Sequence, residues 1–174
     1  IITTVVMKPN LYELVEFVKF ADKLDVKCIK LQAFNTFFGK VEEDNIIVLS
    51  SGADMNQFWI DDILALDKVL NELLDLKING SKVEIDELRI KFLKRYFSNT
   101  LSKNSQCNAG LNSLIIDPQG EIFACCNIDH SLGNIKDVKL EEVWYSDKHK
   151  KCLNMFKACT VPCLVNCVEY WEDA

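Results

Sequence analysis

Long apolar runs are missing from this sequence. No stretch approaches the roughly 20 residues that a helix needs to cross a bilayer, and no secretory leader is visible. Concentrated basic charge is missing too. With 20 Lys and Arg against 26 Asp and Glu, the chain carries a net charge of −6 and no cationic face. Neither a membrane nor a nucleic acid is therefore an expected partner, and a cytoplasmic location is expected. Histidine is scarce, with His130 and His149 the only two, and Asp129-His130 reads as a turn rather than a catalytic pair. No Ser/His/Asp arrangement and no phosphate-binding glycine loop appears, and there is no internal repeat or low-complexity segment.

An initiator methionine is also lacking. The chain starts on Ile1-Ile2-Thr3-Thr4-Val5-Val6-Met7, a β-branched, strand-like run, which reads as a fragment of a longer protein. The 174 residues, 49% hydrophobic and 26% charged, suit one globular domain or two small ones and are too apolar for disorder.

Cysteine is what the sequence has in excess. Seven of the eight follow residue 100, at 107, 125, 126, 152, 159, 163 and 167; only Cys28 precedes it. In a secreted chain such a set suggests disulfides, whereas without secretion signals a cluster reads better as metal ligands.

Residues 1–34 read as strand, helix, strand. Pro9-Asn10 breaks the opening strand, and Asn10 with Glu13 resembles a capping box. Leu11, Leu14, Val15, Val18 and Ala21 then recur at helical spacing, and Val26 to Phe34 forms the second strand. Two strands flanking a helix imply a βαβ unit with parallel strands. In the second strand Ile29, Leu31 and Ala33 share one face, and Cys28, Lys30 and Gln32 the other. In a barrel that second face points inward, making Lys30 and Gln32 candidates for cofactor contact; the alternative is an exposed face.

Residues 35–56 read as a loop. A helix is expected over about 57–77, with Ile60, Ile63, Leu64, Leu70, Leu73 and Leu74 as its apolar side, and a further one over about 84–97 with Ile85, Leu88, Phe92 and Tyr96. Residues 98–106 look like a linker, giving regions 1–100 and 101–174.

Beyond Cys107 the pattern shortens. Ser113–Ile116 and Glu121–Cys125 read as strands around Asp117-Pro118-Gln119-Gly120, whose Asp, Pro and Gly suit a type I turn. The hairpin can bring Cys107 towards Cys125, while Cys159, Cys163 and Cys167 follow at intervals of four. Two thiolates from the hairpin and two from the terminal segment would make a cage for zinc or an iron–sulfur cluster; disulfides or free thiols are the other outcomes. Cys125 and Cys126, read as adjacent in a strand, should face opposite ways, leaving Cys126 a small buried hydrophobe. Cys28 is read as a core thiol and Cys152 as packed.

The run from Cys107 to Cys125, Cys-x12-Gly-x4-Cys, resembles the opening of a SPASM or twitch domain, the C-terminal extensions of radical S-adenosylmethionine (radical SAM) enzymes that hold auxiliary [4Fe–4S] clusters. Leu132-Gly133-Asn134-Ile135 with Leu140-Glu141-Glu142-Val143-Trp144 is similar to the block that follows in those domains, and the terminal cysteines to the closing ligands. The run Ile2 to Asn10, with Ile29-Lys30-Leu31-Gln32, resembles later β/α units of the radical SAM barrel. The resemblance implies an α/β chain: part of a partial (half) β/α barrel, then a small α+β cysteine-rich domain with a β-hairpin.

It further implies one auxiliary [4Fe–4S] cluster, for electron relay or structure, on Cys107, Cys125, Cys163 and Cys167, with Cys159 as the substitute. The terminal cysteines are fewer than a two-cluster domain uses. The CxxxCxxC loop that holds the catalytic cluster is absent, so S-adenosylmethionine would bind only in the full-length parent. The chain alone is expected to be inactive, with the missing N-terminal half of the barrel, an electron donor and an unidentified substrate as partners. The competing expectation is a zinc-stabilised binding or scaffold module without redox activity.

Overall fold

A computed structural model of the chain describes residues 1–35, 37–50, 57–100, 106–159 and 168–169. The chain divides into two compact units, one formed by Ile1–Asn35 with Gly52–Ser102 and the other by Thr36–Ser51 with Lys103–Ala174.

In the first unit β1 (Ile2–Val6) runs parallel to β2 (Ile29–Ala33), pairing Ile2 with Ile29 through Val6 with Ala33. Between them lie a 3-10 turn over Lys8–Glu13 and helix α1 (Leu14–Asp22). Asn10 does not open the helix as expected. Its side chain accepts from the Met7 N–H at 3.1 Å and donates to the Val5 carbonyl at 2.7 Å, closing the turn back on the strand. The apolar stripe is as read: Leu11, Leu14, Val18 and Ala21 are buried.

The next segment forms β3 (Phe37–Glu42) and β4 (Asn45–Ser50), which belong to the second unit. Back in the first unit, α2 (Ile63–Ile78) starts later than the spacing predicts. Asp62 caps it by accepting from the Ala65 N–H at 2.9 Å. Leu66, Val69, Leu70 and Leu73 carry its buried face, while Leu64 is 84% exposed. β5 (Val83–Glu84) then adds to β2, again in parallel, giving the sheet order β1-β2-β5. α3 (Glu87–Phe97) is capped by Asp86 and buries Ile90, Phe92, Leu93, Tyr96 and Phe97; Leu88 lies outside this face.

The aromatic residues at the end of α3 lock this unit. Trp59 stacks against Tyr96 and Phe97, each ring centre 5.1 Å away, and its Nε1 donates to the Phe97 carbonyl at 3.0 Å. Tyr96 Oη donates to the Phe34 carbonyl at 2.9 Å and Arg89 donates to the Leu31 carbonyl at 3.2 Å. These side chains satisfy strand carbonyls beyond the reach of the short β5. The unit is thus a strand–helix alternation around a three-stranded parallel sheet, and among the described residues no sheet closes into a barrel.

The second unit is built from short strands. β3 and β4 form an antiparallel hairpin where a loop was expected. Its two-residue turn places Glu43 and Asp44 at φ 46° and 64°, the backbone that a tight hairpin demands and that non-glycine residues seldom signal in sequence. β6 (Gln106–Cys107) pairs with β11 (Val168–Glu169), and β7 (Ile115–Ile116) with β8 (Glu121–Phe123). β9 (Ile128–Asp129) runs parallel to β3, and β10 (Ser131–Asn134) lies antiparallel to β8. Helices α4 (Leu140–Tyr145) and α5 (Asp147–Lys157) follow. Ala109, Ile122, Ala124, Ile128, Leu132, Val143, Cys152 and Phe156 make the small core, with Val41 and Ile46 of the inserted hairpin packed on it. Among the described residues no helix is long and apolar enough to cross a membrane.

Candidate metal centre

The hairpin that carries the second cysteine is fixed by its turn. Gly120 N–H donates to the Asp117 carbonyl at 3.0 Å, and the Asp117 carboxylate accepts from the N–H groups of Gln119 and Glu121 at 2.9 and 2.8 Å. On the far side Asn134 donates to the Glu121 carboxylate at 2.9 Å, and Ser131 bonds it too. These two donors hold the Glu121 carboxyl below its usual range. β8 ends at Phe123, and Cys125 follows in the irregular turn that leads to β9.

The first cysteine is set by a different device. Cys107 ends β6, and the chain then turns through Gly110, whose φ of +75° favours glycine. A Cβ there would stand 3.1 Å from Ala124 Cβ and from Leu153 Cδ2, so only glycine lets this loop approach both the end of β8 and α5. His149, 2% exposed, ties the loop down: Nε2 lies 3.0 Å from the Gly110 carbonyl oxygen and Nδ1 lies 2.7 Å from that of Trp144. Sequence reasoning passed over His149. Its position on α5 three residues before Cys152 was the available signal, since both fall on one helix face.

Cys107 lies within electrostatic range of both Cys125 and Cys159. Burial pushes the Cys107 thiol up, the nearby Cys125 and Cys159 sulfurs push it further, and the Ala109 N–H pointing at the sulfur opposes them. Cys125 is raised more strongly, by its bond to the Cys126 thiol and by burial, while the N–H groups of Asn127 and Ile128 act in the opposite sense. The Asn127 N–H donates to Cys125 Sγ at 3.4 Å. Cys107 and Cys125 are thus held towards the protonated form in the metal-free protein, yet each of these two sulfurs already faces backbone donors that stabilise a thiolate. Binding a metal here would release protons.

Spacing between the sulfurs bears on which metal group fits. Around one zinc ion, four thiolates stand about 3.8 Å apart, as bond lengths near 2.3 Å and tetrahedral geometry require. Among the described residues no three Cys, His, Asp or Glu side chains gather closely enough to hold a single ion. A multi-iron cluster, unlike a single ion, does not require its ligand sulfurs to stand that close to one another. The donor set, thiols with amide N–H groups aimed at them, fits such a cluster.

Not every residue singled out from the sequence joins this centre. Cys163 and Cys167 lie outside the described residues; the described backbone resumes at Val168, the strand partner of Cys107. Cys159 follows the Ala158 cap of α5, its N–H donating to the Phe156 carbonyl at 3.1 Å. Cys152 is buried in the small core. Cys126 departs from expectation. It is exposed rather than buried, and because the strand ends at Phe123 its side chain does not alternate with that of Cys125. Lys30 and Gln32 belong to the first unit, half-buried on the sheet face opposite Ile29, Leu31 and Ala33. Lys30 pairs there with Glu84 at 3.6 Å. Cys28 is half-buried, its thiol pushed up by partial burial and by Glu84.

Residues 107–168 match the family model of SPASM, an iron–sulfur cluster-binding domain. This region is similar to that family. The match covers a little over a third of the chain and includes Cys107, Cys125, Cys159, Cys163 and Cys167. The β3–β4 hairpin lies before the matched region in sequence although it packs within the same unit. No curated protein matches the chain. No solved structure matches it either.

Proposed function

We propose that the second unit holds one auxiliary [4Fe–4S] cluster on four thiolates, serving electron relay or structure within a radical SAM-type oxidoreductase or maturase. Cys107 and Cys125 supply two of the ligands, and Cys163 and Cys167, with Cys159 as the alternative, supply the others. The observation that carries this reading is the match of residues 107–168 to an iron–sulfur cluster-binding family, which takes in both Cys107 and Cys125, with the Asn127 N–H donating to Cys125 Sγ at 3.4 Å. Such a cluster passes single electrons, and four thiolate ligands leave no iron position open to a substrate. The protein's part is to desolvate the site, orient the sulfurs and donate hydrogen bonds to them.

On this reading the first unit contributes part of a half β/α barrel. Its parallel β1-β2-β5 order, with helices between the strands, supports that placement. The face carrying Lys30 and Gln32 would line the barrel interior. The catalytic cluster and S-adenosylmethionine would belong to the remainder of the parent enzyme, with an electron donor and the substrate as further partners. The alternative of a zinc-stabilised module makes the opposite analytical forecast.

The deciding experiment is metal and sulfide analysis of anaerobically purified chain beside its Cys107→Ala variant. Four irons and four acid-labile sulfides per chain are expected, with broad visible absorption that Cys107→Ala abolishes. Colourless protein with stoichiometric zinc, or a Cys107→Ala variant that keeps its full iron, would overturn the proposal.

A further inference from the structure

The β7–β8 hairpin leaves a bare edge that the reading above does not use. Among the described residues β7 is the last strand of its sheet, whose order is β10-β8-β7. Ile115 pairs with Phe123 and Ile116 with Ile122, and the Asp117 N–H donates to the Glu121 carbonyl at 3.0 Å. Antiparallel ladders alternate bonded and non-bonded pairs, so the bond from Asp117 to Glu121 makes Ile116 and Ile122 a non-bonded pair. The Ile116 N–H and carbonyl therefore point away from β8, towards the free margin. Both isoleucines are exposed, and Ser113-Leu114-Ile115-Ile116 carries no charge and no proline, two of the usual guards of a sheet edge.

A cavity lies on each face of this edge, and alternate side chains of the strand border them. Leu114 and Ile116 line an open groove of about 450 Å³, with Leu140, Glu141 and Trp144 of α4 opposite. Ile115 and Asp117 line the other cavity, of about 330 Å³, together with Phe38, Phe123 and Asp129. Both lie within the second unit. Their charged lining has one sign. Glu141 borders the groove, Asp117 and Asp129 border the second cavity, and no Lys, Arg or His lines either among the described residues.

We propose that β7 receives an extended segment of a partner protein, added as a further strand, in which apolar and basic side chains alternate. This goes beyond the cluster reading and does not depend on it. The segment's backbone donates to the Ile116 carbonyl and accepts from the Ile116 N–H, which sets its register. Its apolar side chains enter the groove beside Leu140 and Trp144, while its lysines or arginines reach Asp117 and Asp129 on the opposite face. A period of two residues is what sends alternate side chains into two cavities, so an added strand fits this edge better than a helix does. Backbone bonds at a single residue hold weakly. Most of the affinity comes from the side chains, and the acidic lining makes it fall as salt is added.

The test uses the full chain, purified anaerobically, and a short end-blocked synthetic peptide that alternates leucine or phenylalanine with lysine. Titration calorimetry measures binding, and amide hydrogen exchange followed by NMR reads the backbone pairing. The peptide should bind, should protect the Ile116 amide, and should bind several-fold more weakly as salt is raised. Ile116→Lys should weaken binding by an order of magnitude and Asp129→Asn several-fold; both positions are exposed, and circular dichroism checks their folding. Failure of the peptide to bind up to its solubility limit overturns the proposal. So does equal binding by a peptide of the same composition with its lysines grouped, an Ile116 amide that stays unprotected, or full binding by Ile116→Lys. A chain that dimerises with concentration, and whose dimer Ile116→Lys dissolves, assigns the edge to a second copy and overturns the proposal too.

Discussion

The two units solve the problem of stability differently. Among the described residues, ten of the eleven largest fully buried side chains sit in the first unit, among them Leu14, Ile29, Leu70, Tyr96 and Phe97; only Ile122 lies in the second. The first has regular helices of nine to sixteen residues on a parallel sheet. The second has strands of two to six residues and a core that includes two alanines and a cysteine. Where the described residues bury so little apolar surface, a metal is a common further source of cohesion in small domains. If the proposed cluster forms, the cysteines of the second unit do part of what Leu and Phe do in the first.

Removing iron should therefore give the largest effect and confine it to one unit. After chelation, hydrogen exchange should lose protection across residues 106–159 and keep it in β1, β2 and α2. Equal loss in both units would break the comparison. The converse comes from Leu70→Ala, a fully buried helix position. It should cost about 2–5 kcal/mol by denaturant melting of the first unit, with iron content unchanged.

A smaller effect is expected from Gly110→Ala. The left-handed backbone there costs a side chain about 1–2 kcal/mol, and the added methyl crowds Ala124 and Leu153. The second unit's melting temperature should fall and its iron occupancy drop at limiting iron, while the first unit's transition stays in place. The smallest belongs to Lys30→Ala. Its ion pair with Glu84 is substantially exposed on both sides, so its loss should change stability by at most about 1 kcal/mol, measured by the same melts.

How much of this was legible in the sequence follows the same division. In the first unit periodic apolar residues dictated the helices, and α1 buries the stripe its spacing announced. The errors there are local ones. Leu64 and Leu88 fit a helical pattern but fall outside the buried faces, which run through Leu66, Leu70 and Leu73 in α2 and through Ile90, Leu93 and Phe97 in α3. In the second unit the turn at Asp117–Gly120 was readable because Asp, Pro and Gly announce it. The β3–β4 hairpin was not, since Glu43 and Asp44 supply its positive φ angles without a glycine. Asn45-Ile46-Ile47-Val48-Leu49 was the strand signal passed over.

The candidate centre divides likewise. Spacing named Cys107 and Cys125, and a strand rule misassigned Cys126 because the strand stops two residues before Cys125. His149 and Asn127 were invisible because neither lies in a ligand motif. They act on the loops that carry the sulfurs, and only the folded chain brings them there.

The hairpin insertion has a consequence for how this protein comes into being. β3 pairs with β9, so Gly39 must wait for Ile128, 89 positions further along the chain. At roughly 5–20 residues per second of synthesis, that delay runs to many seconds, during which a two-stranded ribbon with an unpaired margin is left outside the ribosome. Its lysine and acidic residues (Lys40, Glu42, Glu43 and Asp44) discourage that margin from pairing with a neighbouring nascent chain.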